Sequence, residues 1–250
     1  SVQKNKADQQ TFTYDGQKYS VFDETLSNRF DNTVITNNAG INYRLGQSRD
    51  EQLSFGVNFQ NSKLESQRVY PTTTNVNQSF SNILPNLMYR KKIGMYTNIR
   101  VFYRASTNFP SISQLQDVVN LSNPLRVSSG NPDLKQSYTN FLSGRYSYTN
   151  TKTGKSFFSN LFLQTASDYI STATYVAAAD SSIQQNIILK KGSQLTKPIN
   201  LDGYKSLRTF FTYSMPLQFI KTTLNLNGGF SYSKLPGLIR NINTVTNSYA

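Results

Sequence analysis

The side chains that most often carry out catalysis are either missing from this sequence or widely scattered. It contains no His and no Cys, which removes His-based nucleophile triads, disulfides and the usual zinc and iron ligands. No nucleophile beside a base and no close pair of carboxylates can be recognised. The sequence therefore predicts a protein that is not an enzyme and that needs no metal ion or other cofactor. The acids considered for such roles are far apart, namely Asp117, Asp133, Asp168, Asp180 and Asp202.

Arginine is the charged residue with a regular placement. Lys and Arg number 26 against 13 acids, which gives a formal net charge of +13, but the basic residues are dispersed, so nucleic-acid binding is not expected. Several arginines occupy the polar positions of alternating segments and are predicted to face a lumen. There they would attract an anionic ligand or, the favoured role, pair with carboxylates. These residues are Arg44, Arg100, Arg104, Arg145 and Arg208.

The elements that position these arginines have a side-chain period of two. In the segment 222–233, Leu224, Leu226 and Phe230 fall on one face, while Asn225 and Asn227 fall on the other. This period is that of a β-strand with one apolar and one polar face. The same alternation recurs near 39–45, 53–59, 83–89, 99–105, 142–148, 161–164 and 207–213.

The connections between these strands alternate in length. Tight turns are predicted near 46–50, 91–95, 150–155 and 216–221, and long outer loops near 69–79, 107–137, 176–200 and 234–243. Residues 1–25 are predicted to be mostly irregular, with a weak strand fragment at Thr11–Tyr14, and the loop 176–200 is predicted to include strand at Ile187–Leu189. Short turns at one end and long loops at the other are typical of antiparallel transmembrane β-barrels, whose short turns face the periplasm. The predicted fold class is therefore all-β: a partial arc of such a barrel with about eight complete strands.

Five residues in the long loops are candidates for substrate binding. Tyr70 and Phe109 could stack on a ligand, and Asn123, Asn131 and Asp133 carry polar groups within Pro- and Gly-rich sequence. Asn side chains commonly bond to nearby backbone, and Gly and Pro set turn geometry. The favoured interpretation of the segment 107–136 is therefore architectural: it determines how the loop folds back over the rim.

The same loop carries the motifs that link the chain to a family. They are Phe109-Pro-Ser111, Gln114-Leu115, Asn123-Pro124 and Gly130-Asn-Pro-Asp-Leu134, preceded by the segment 80–86. These motifs resemble those of TonB-dependent outer-membrane receptors, in particular the outer membrane β-barrel family common in Bacteroidetes. The resemblance implies a barrel of about 22 strands in the outer membrane of a Gram-negative bacterium. It also implies a plug domain in the lumen and energy supplied through the TonB complex.

On this resemblance, residues 1–250 are expected to form part of one barrel domain, without the plug and without the barrel-closing C-terminus. The expected function is that of a wall segment in a receptor for a scarce or large solute, such as a glycan, a peptide or a metal chelate. The expected partners are the plug, the TonB complex, outer-membrane lipid and a surface lipoprotein lid. A barrel for protein secretion or surface assembly and a soluble β-rich adhesin remain the alternatives.

Overall fold

The structure, a computed structural model, describes all residues except 47, 49, 71, 72, 118, 121, 122, 185 and 186. Long strands dominate it, joined by one short α-helix and one 3₁₀ turn. The first strands are β1 (Val2–Tyr14), β2 (Tyr19–Leu45), β3 (Glu51–Tyr70), β4 (Thr74–Ile93) and β5 (Thr97–Asn108), followed by α1 (Ile112–Leu115) and β6 (Arg126–Ser128). Next come β7 (Ser137–Asn150), β8 (Lys155–Ser167), β9 (Tyr169–Val176), β10 (Ser181–Gln184), β11 (Ile187–Leu189) and β12 (Gln194–Leu201). The chain continues with β13 (Tyr204–Leu217), the 3₁₀ turn (Gln218–Ile220), β14 (Thr222–Ile239) and β15 (Ile242–Tyr249).

Thirteen strands form one sheet, and antiparallel neighbours dominate it. Its order is β1-β2-β3-β4-β5-β7-β8-β13-β14-β9-β12-β6, with β15 also paired to β14, while β10 and β11 form a separate hairpin. The parallel contacts are short, between β12 and β6 and between β14 and β9. The order runs from one edge strand to another without returning to β1, so the sheet is an open arc. The predicted fold class is confirmed.

The register places the apolar positions of neighbouring strands opposite one another. Ile41 pairs with Val57, and Val57 pairs with Pro85. Farther along the sheet, Val101 pairs with Gly144, Gly144 with Leu161, Leu161 with Thr209 and Thr209 with Phe230. Because side chains alternate along each strand, this register creates an apolar belt on one face of β2–β5, β7, β8, β13 and β14. Ile41 within it is 82% exposed.

The opposite side of the same eight strands, called the polar face below, carries the intervening side chains. Asn42 pairs with Gly56 there, and Asn86 pairs with Arg104. Pro85 lies at the point where the β4–β5 ladder stops, since the pairs begin only at Asn86. A proline has no N–H to donate, which accounts for the end of the ladder at this position.

The tight turns lie where the sequence predicts them, but every predicted irregular region also contains strand, including β6 within 107–137 and β10, β11 and most of β12 within 176–200. β3 reaches Tyr70 and β4 begins at Thr74, so most of 69–79 is strand, and β14 likewise continues to Ile239. Residues 2–14 form β1, which pairs with β2. Residues 2–10 and 74–79 are mostly polar on both faces, and the end of β14 contains Pro236 and Gly237, so none of these segments shows a clear alternation. They are strands nonetheless because backbone hydrogen bonds to a neighbouring strand do not require apolar side chains.

The two remaining long connections fold onto the polar face. The connection between β5 and β7 contributes Leu115 and Leu134, which form a buried cluster with Leu64 of β3. Ile170, from the connection between β8 and β13, packs against the same cluster. The arc therefore has a layer of loop structure over one end of its polar face.

Candidate functional site

Three arginines face one another across neighbouring strands of the polar face. Arg90 of β4 pairs with Arg100 of β5, and Arg100 pairs with Arg145 of β7. We call these three residues the arginine row. Like charges directly opposite each other destabilise a sheet. The row lies near the tight turns that connect β4 to β5 and β7 to β8.

The arginine row has no acidic partner among the described residues. The ion pairs among the described residues do not include its members, and the segments 86–90, 98–104 and 141–147 around the row contain no Asp or Glu. Nη2 of Arg90 donates to Oε1 of Gln52 at 3.2 Å, whereas its buried Nε has no partner among the described residues. The guanidinium of Arg145 lies 5.9 Å from the ring centre of Phe158. Around the arginine row, the polar face therefore carries a positive charge that none of the ion pairs among the described residues neutralises.

Four phenylalanines run through the same surface, one from each of β5, β7, β8 and β13. The ring centres of Phe102 and Phe141 are 6.5 Å apart, those of Phe141 and Phe162 are 6.2 Å apart, and those of Phe162 and Phe210 are 6.0 Å apart. We call these four residues the phenylalanine ladder. The last two pairs are stacked with interplanar angles of 27°. Apolar rings at polar-face positions would be stabilised by contact with a partner surface that is itself partly apolar.

Sequence reasoning did not assign a role to the phenylalanine ladder. Phe102 and Phe210 fall at polar positions of their strands. An aromatic residue at such a position is the sequence feature that could have identified the ladder. Only the register shows that the ladder lies among arginines: Arg104 pairs with Phe141, and Arg208 with Phe162.

The arginines predicted to face a lumen all lie on the polar face, and all are exposed. Arg100, Arg104, Arg145 and Arg208 surround the phenylalanine ladder. Arg44 is on β2, opposite Ser54 and away from the others. That this face lines a lumen stays a prediction.

The residues predicted to bind substrate are engaged in contacts within the chain. The ring of Tyr70 packs against Phe22 at 5.2 Å, and the ring of Phe109 against Phe80 at 6.0 Å. Oδ1 of Asn123 accepts the amide of the residue two positions later, and Oδ1 of Asn131 accepts the amide of Asp133. The side chain of Asp133 is exposed. The structure thus gives these residues packing and turn contacts, and their role in substrate binding stays a prediction.

The motif of the β5–β7 connection holds that connection together. The amide of Asn131 donates to the carbonyl of Gln114 at 2.6 Å, and its Nδ2 donates to the carbonyl of Pro198 at 3.0 Å. A Cβ on Gly130 would lie 2.0 Å from the carbonyl oxygen of Gln116, so only glycine fits this close approach. These contacts join the two ends of the motif to each other and to β12, which supports the architectural interpretation.

Asp117 connects the same loop to two strands. Its carboxylate lies 3.7 Å from Nζ of Lys197 on β12. It also interacts with Arg68 near the outer end of β3, where burial lowers the pKa of Arg68 and the nearby Asp117 charge opposes that shift. Loss of this carboxylate would leave a buried guanidinium poorly compensated.

The arrangement can bind and hold a partner, but it carries no recognisable catalytic group. In the described part of the chain, no group of three or more His, Cys, Asp or Glu side chains is placed to hold a metal ion. Nor do the described residues include a helix long and apolar enough to cross a membrane.

The chain was compared with protein families, curated proteins and solved structures. A family model described as the outer membrane protein beta-barrel family matches residues 1–250. No curated protein matches the chain. Among solved structures, the siderophore receptor PirA from Acinetobacter baumannii is similar, with 12% sequence identity and a TM-score of 0.43. That match covers 99% of this chain and 44% of the receptor, so the chain spans less than half of that protein's length.

Proposed function

Since the chain belongs to the outer membrane protein β-barrel family and lies in the outer membrane, we propose that it forms part of the wall of a TonB-dependent receptor that imports a scarce or large solute. In this role the apolar belt contacts lipid, and the polar face lines the lumen and holds a plug domain. The chain performs no chemistry of its own. The observation that carries the proposal is the arginine row beside the phenylalanine ladder.

A water-filled pore does not account for this surface. Three arginines placed opposite one another repel, and apolar rings gain nothing from facing water. A protein surface that offers carboxylates to the arginines and apolar side chains to the rings would satisfy both. Arg is suited to such contacts because its planar guanidinium can bind a carboxylate through two hydrogen bonds. A folded plug is a partner of this chemistry, whereas a small anion would cover the charges and leave the rings exposed.

Import of a solute, driven through TonB, rests on the resemblance of the loop motifs to those of TonB-dependent receptors. The position of the two long connections supports this role. They fold onto the polar face, where a solute entering from outside would meet them. A surface lipoprotein lid would contact the same end of the arc.

The test uses the full-length protein with a photo-crosslinking amino acid in place of Phe162. We expect crosslinks, mapped by mass spectrometry, to a segment of the same polypeptide that lies outside this wall and carries Asp or Glu. The double variant Arg100→Gln/Arg145→Gln should reduce that crosslink strongly. Arg126→Gln, an exposed arginine of the outer connection, is the matched control and should leave it unchanged.

Two results would overturn the proposal. Crosslinks to a separate protein in place of the plug would favour secretion or surface assembly. Adducts to water or detergent alone would show that nothing covers the polar face. In cells, solute uptake should also stop when a protonophore removes the proton-motive force, and uptake that continues would exclude energy supply through TonB.

A further inference from the structure

A cavity of about 400 Å³ lies between the β5–β7 connection and the strand pair β9–β12. Its lining contains no charged and no aromatic side chain among the described residues. Apart from Gly130 and Pro198, every lining residue carries a hydroxyl or an amide. Its volume is at the lower end of the range for small-molecule sites.

Two polar groups of this lining are buried and without a hydrogen-bond partner among the described residues. They are Oγ of Ser129 and Nε2 of Gln116. Ser129 is only 7% exposed. Burying a polar group without a partner costs free energy, so such groups are uncommon in native proteins. Both residues line the cavity, so a turn of either side chain toward it would let a ligand supply the missing partner.

The walls of the cavity are held by backbone contacts. The amide of Ser129 donates to the carbonyl of Thr196 at 3.1 Å, and β6 pairs in parallel with β12 beside it. On the other side, the amide of Asn131 is bonded to Gln114. The backbone of the walls is therefore set in place before a ligand arrives, which reduces the entropy lost on binding.

From this lining we propose that the cavity binds an uncharged carbohydrate unit. Ser and Thr hydroxyls both donate and accept, as sugar hydroxyls do, and Gln amides can bond two neighbouring hydroxyls. A charged ligand would lose its hydration and find no opposite charge there. The other cavities differ in this respect, because one is lined by Lys191 and Arg240 and another by Phe102 and Arg104.

An extended peptide fits the site less well than a sugar. Peptides commonly bind by adding a strand to an exposed sheet edge. The edge strand here is β6, and Ser128 on it is already bridged by Asn120, whose amide donates to the carbonyl of Ser128 at 2.7 Å. Hydroxyl side chains also outnumber amides in the lining.

The assignment of this sugar as the imported solute rests on the proposed function. The binding site itself is tested on the full-length protein in lauryldimethylamine oxide, a detergent without a sugar head group. Calorimetry would measure the affinity for maltose, cellobiose, lactose and diacetylchitobiose. Digalacturonic acid and N-acetyl-trialanine amide serve as the charged and the peptide probes. We expect saturable binding of at least one neutral disaccharide, and at least about tenfold weaker binding of the other two classes.

Ser129→Ala should weaken that binding about 3- to 10-fold, as expected for one lost hydrogen bond. Ser193→Ala is the matched control, because Ser193 is also fully buried, with an Oγ that has no partner among the described residues, but it does not line the cavity. If Ser129→Ala does not fold, Thr196→Val replaces it with the same expected loss.

The proposal is overturned if no neutral disaccharide saturates the protein. It is equally overturned if the acidic or peptide probe binds as tightly, or if the Ser129 and Ser193 variants bind alike. Loss of the Phe162 crosslink with sugar binding retained would remove the proposed receptor function and leave the binding site. The reverse result would remove only the site.

Discussion

Replacing Leu134 with Ala should detach the β5–β7 connection from the polar face while leaving the barrel wall intact. Leu134 is 1% exposed and packs against Leu64 of β3 and Leu115 of α1. Removing a buried Leu side chain to Ala costs about 2–5 kcal/mol. Because these contacts join the connection to the wall, the cost falls on their docking. Each 1.4 kcal/mol is a factor of ten, so the docked fraction relative to the undocked one should fall by a factor of about 30 or more.

Hydrogen exchange measures this docking through two amides that bond the connection to β12. The amide of Ser129 donates to Thr196, and the amide of Lys135 donates to Oδ1 of Asn200 at 2.8 Å, so both lose their partner when the connection leaves its docked position. Their protection should fall by that factor in Leu134→Ala, whereas amides within the β3–β4 ladder should keep theirs. Leu125→Ala, in the same connection but 67% exposed, is the control and should change protection little. Unchanged exchange in Leu134→Ala, or an equal loss in Leu125→Ala, would refute the role given to the cluster.

Three further predictions concern the belt, the motif and the β1–β2 turn. Ile41→Arg should destabilise the protein folded into lipid vesicles by up to about 2–4 kcal/mol, measured by guanidinium unfolding. Asn42→Arg, on the polar face, should cost much less, and equal losses would contradict the assignment of faces. Gly130→Ala should displace the β5–β7 connection, because the added Cβ would lie 2.0 Å from a backbone oxygen. Amide exchange in this variant should resemble that of Leu134→Ala. In the β1–β2 turn, hydrogen bonds from the Ser20 hydroxyl and two backbone amides lower the pKa of Asp15 from 3.8 to about 2. The folded-state pKa is depressed, so the carboxylate should stabilise the turn above about pH 4 and lose that effect as pH falls toward 2, visible as faster amide exchange in this turn.

Much of the wall could be predicted from the sequence because neighbouring residues of a strand face opposite sides of the sheet, and these two sides have different surroundings. Where lipid meets one face and polar surroundings meet the other, every second residue reports the face, as in 39–45 and 222–233. The prediction failed at residues 2–10 and 74–79, where both faces are mostly polar. There the strand forms because its backbone pairs with a neighbouring strand, as Asn77 does with Glu65. The side-chain pattern does not indicate a strand at these positions.

The candidate site could be predicted only one strand at a time. The sequence assigned Arg100 and Arg145 to polar faces, but it gave no reason to place them opposite each other or to include Arg90. It also identified the Gly130 motif as architectural without showing what the motif holds. The cavity beside Ser129 lay beyond sequence reasoning, because its walls come from two connections that are distant along the chain.

The sequence by itself determined the family, the apolar and polar faces of the strands and the positions of the tight turns. These depend on local periodicity and on short motifs, which are properties of neighbouring residues. The tertiary structure alone decided which side chains meet: the arginine row, the phenylalanine ladder and the neutral cavity all depend on register and on loops folding back over the sheet. Register is fixed by the summed pairing of whole strands, and loop docking by a few buried leucines, so neither can be read from any single segment.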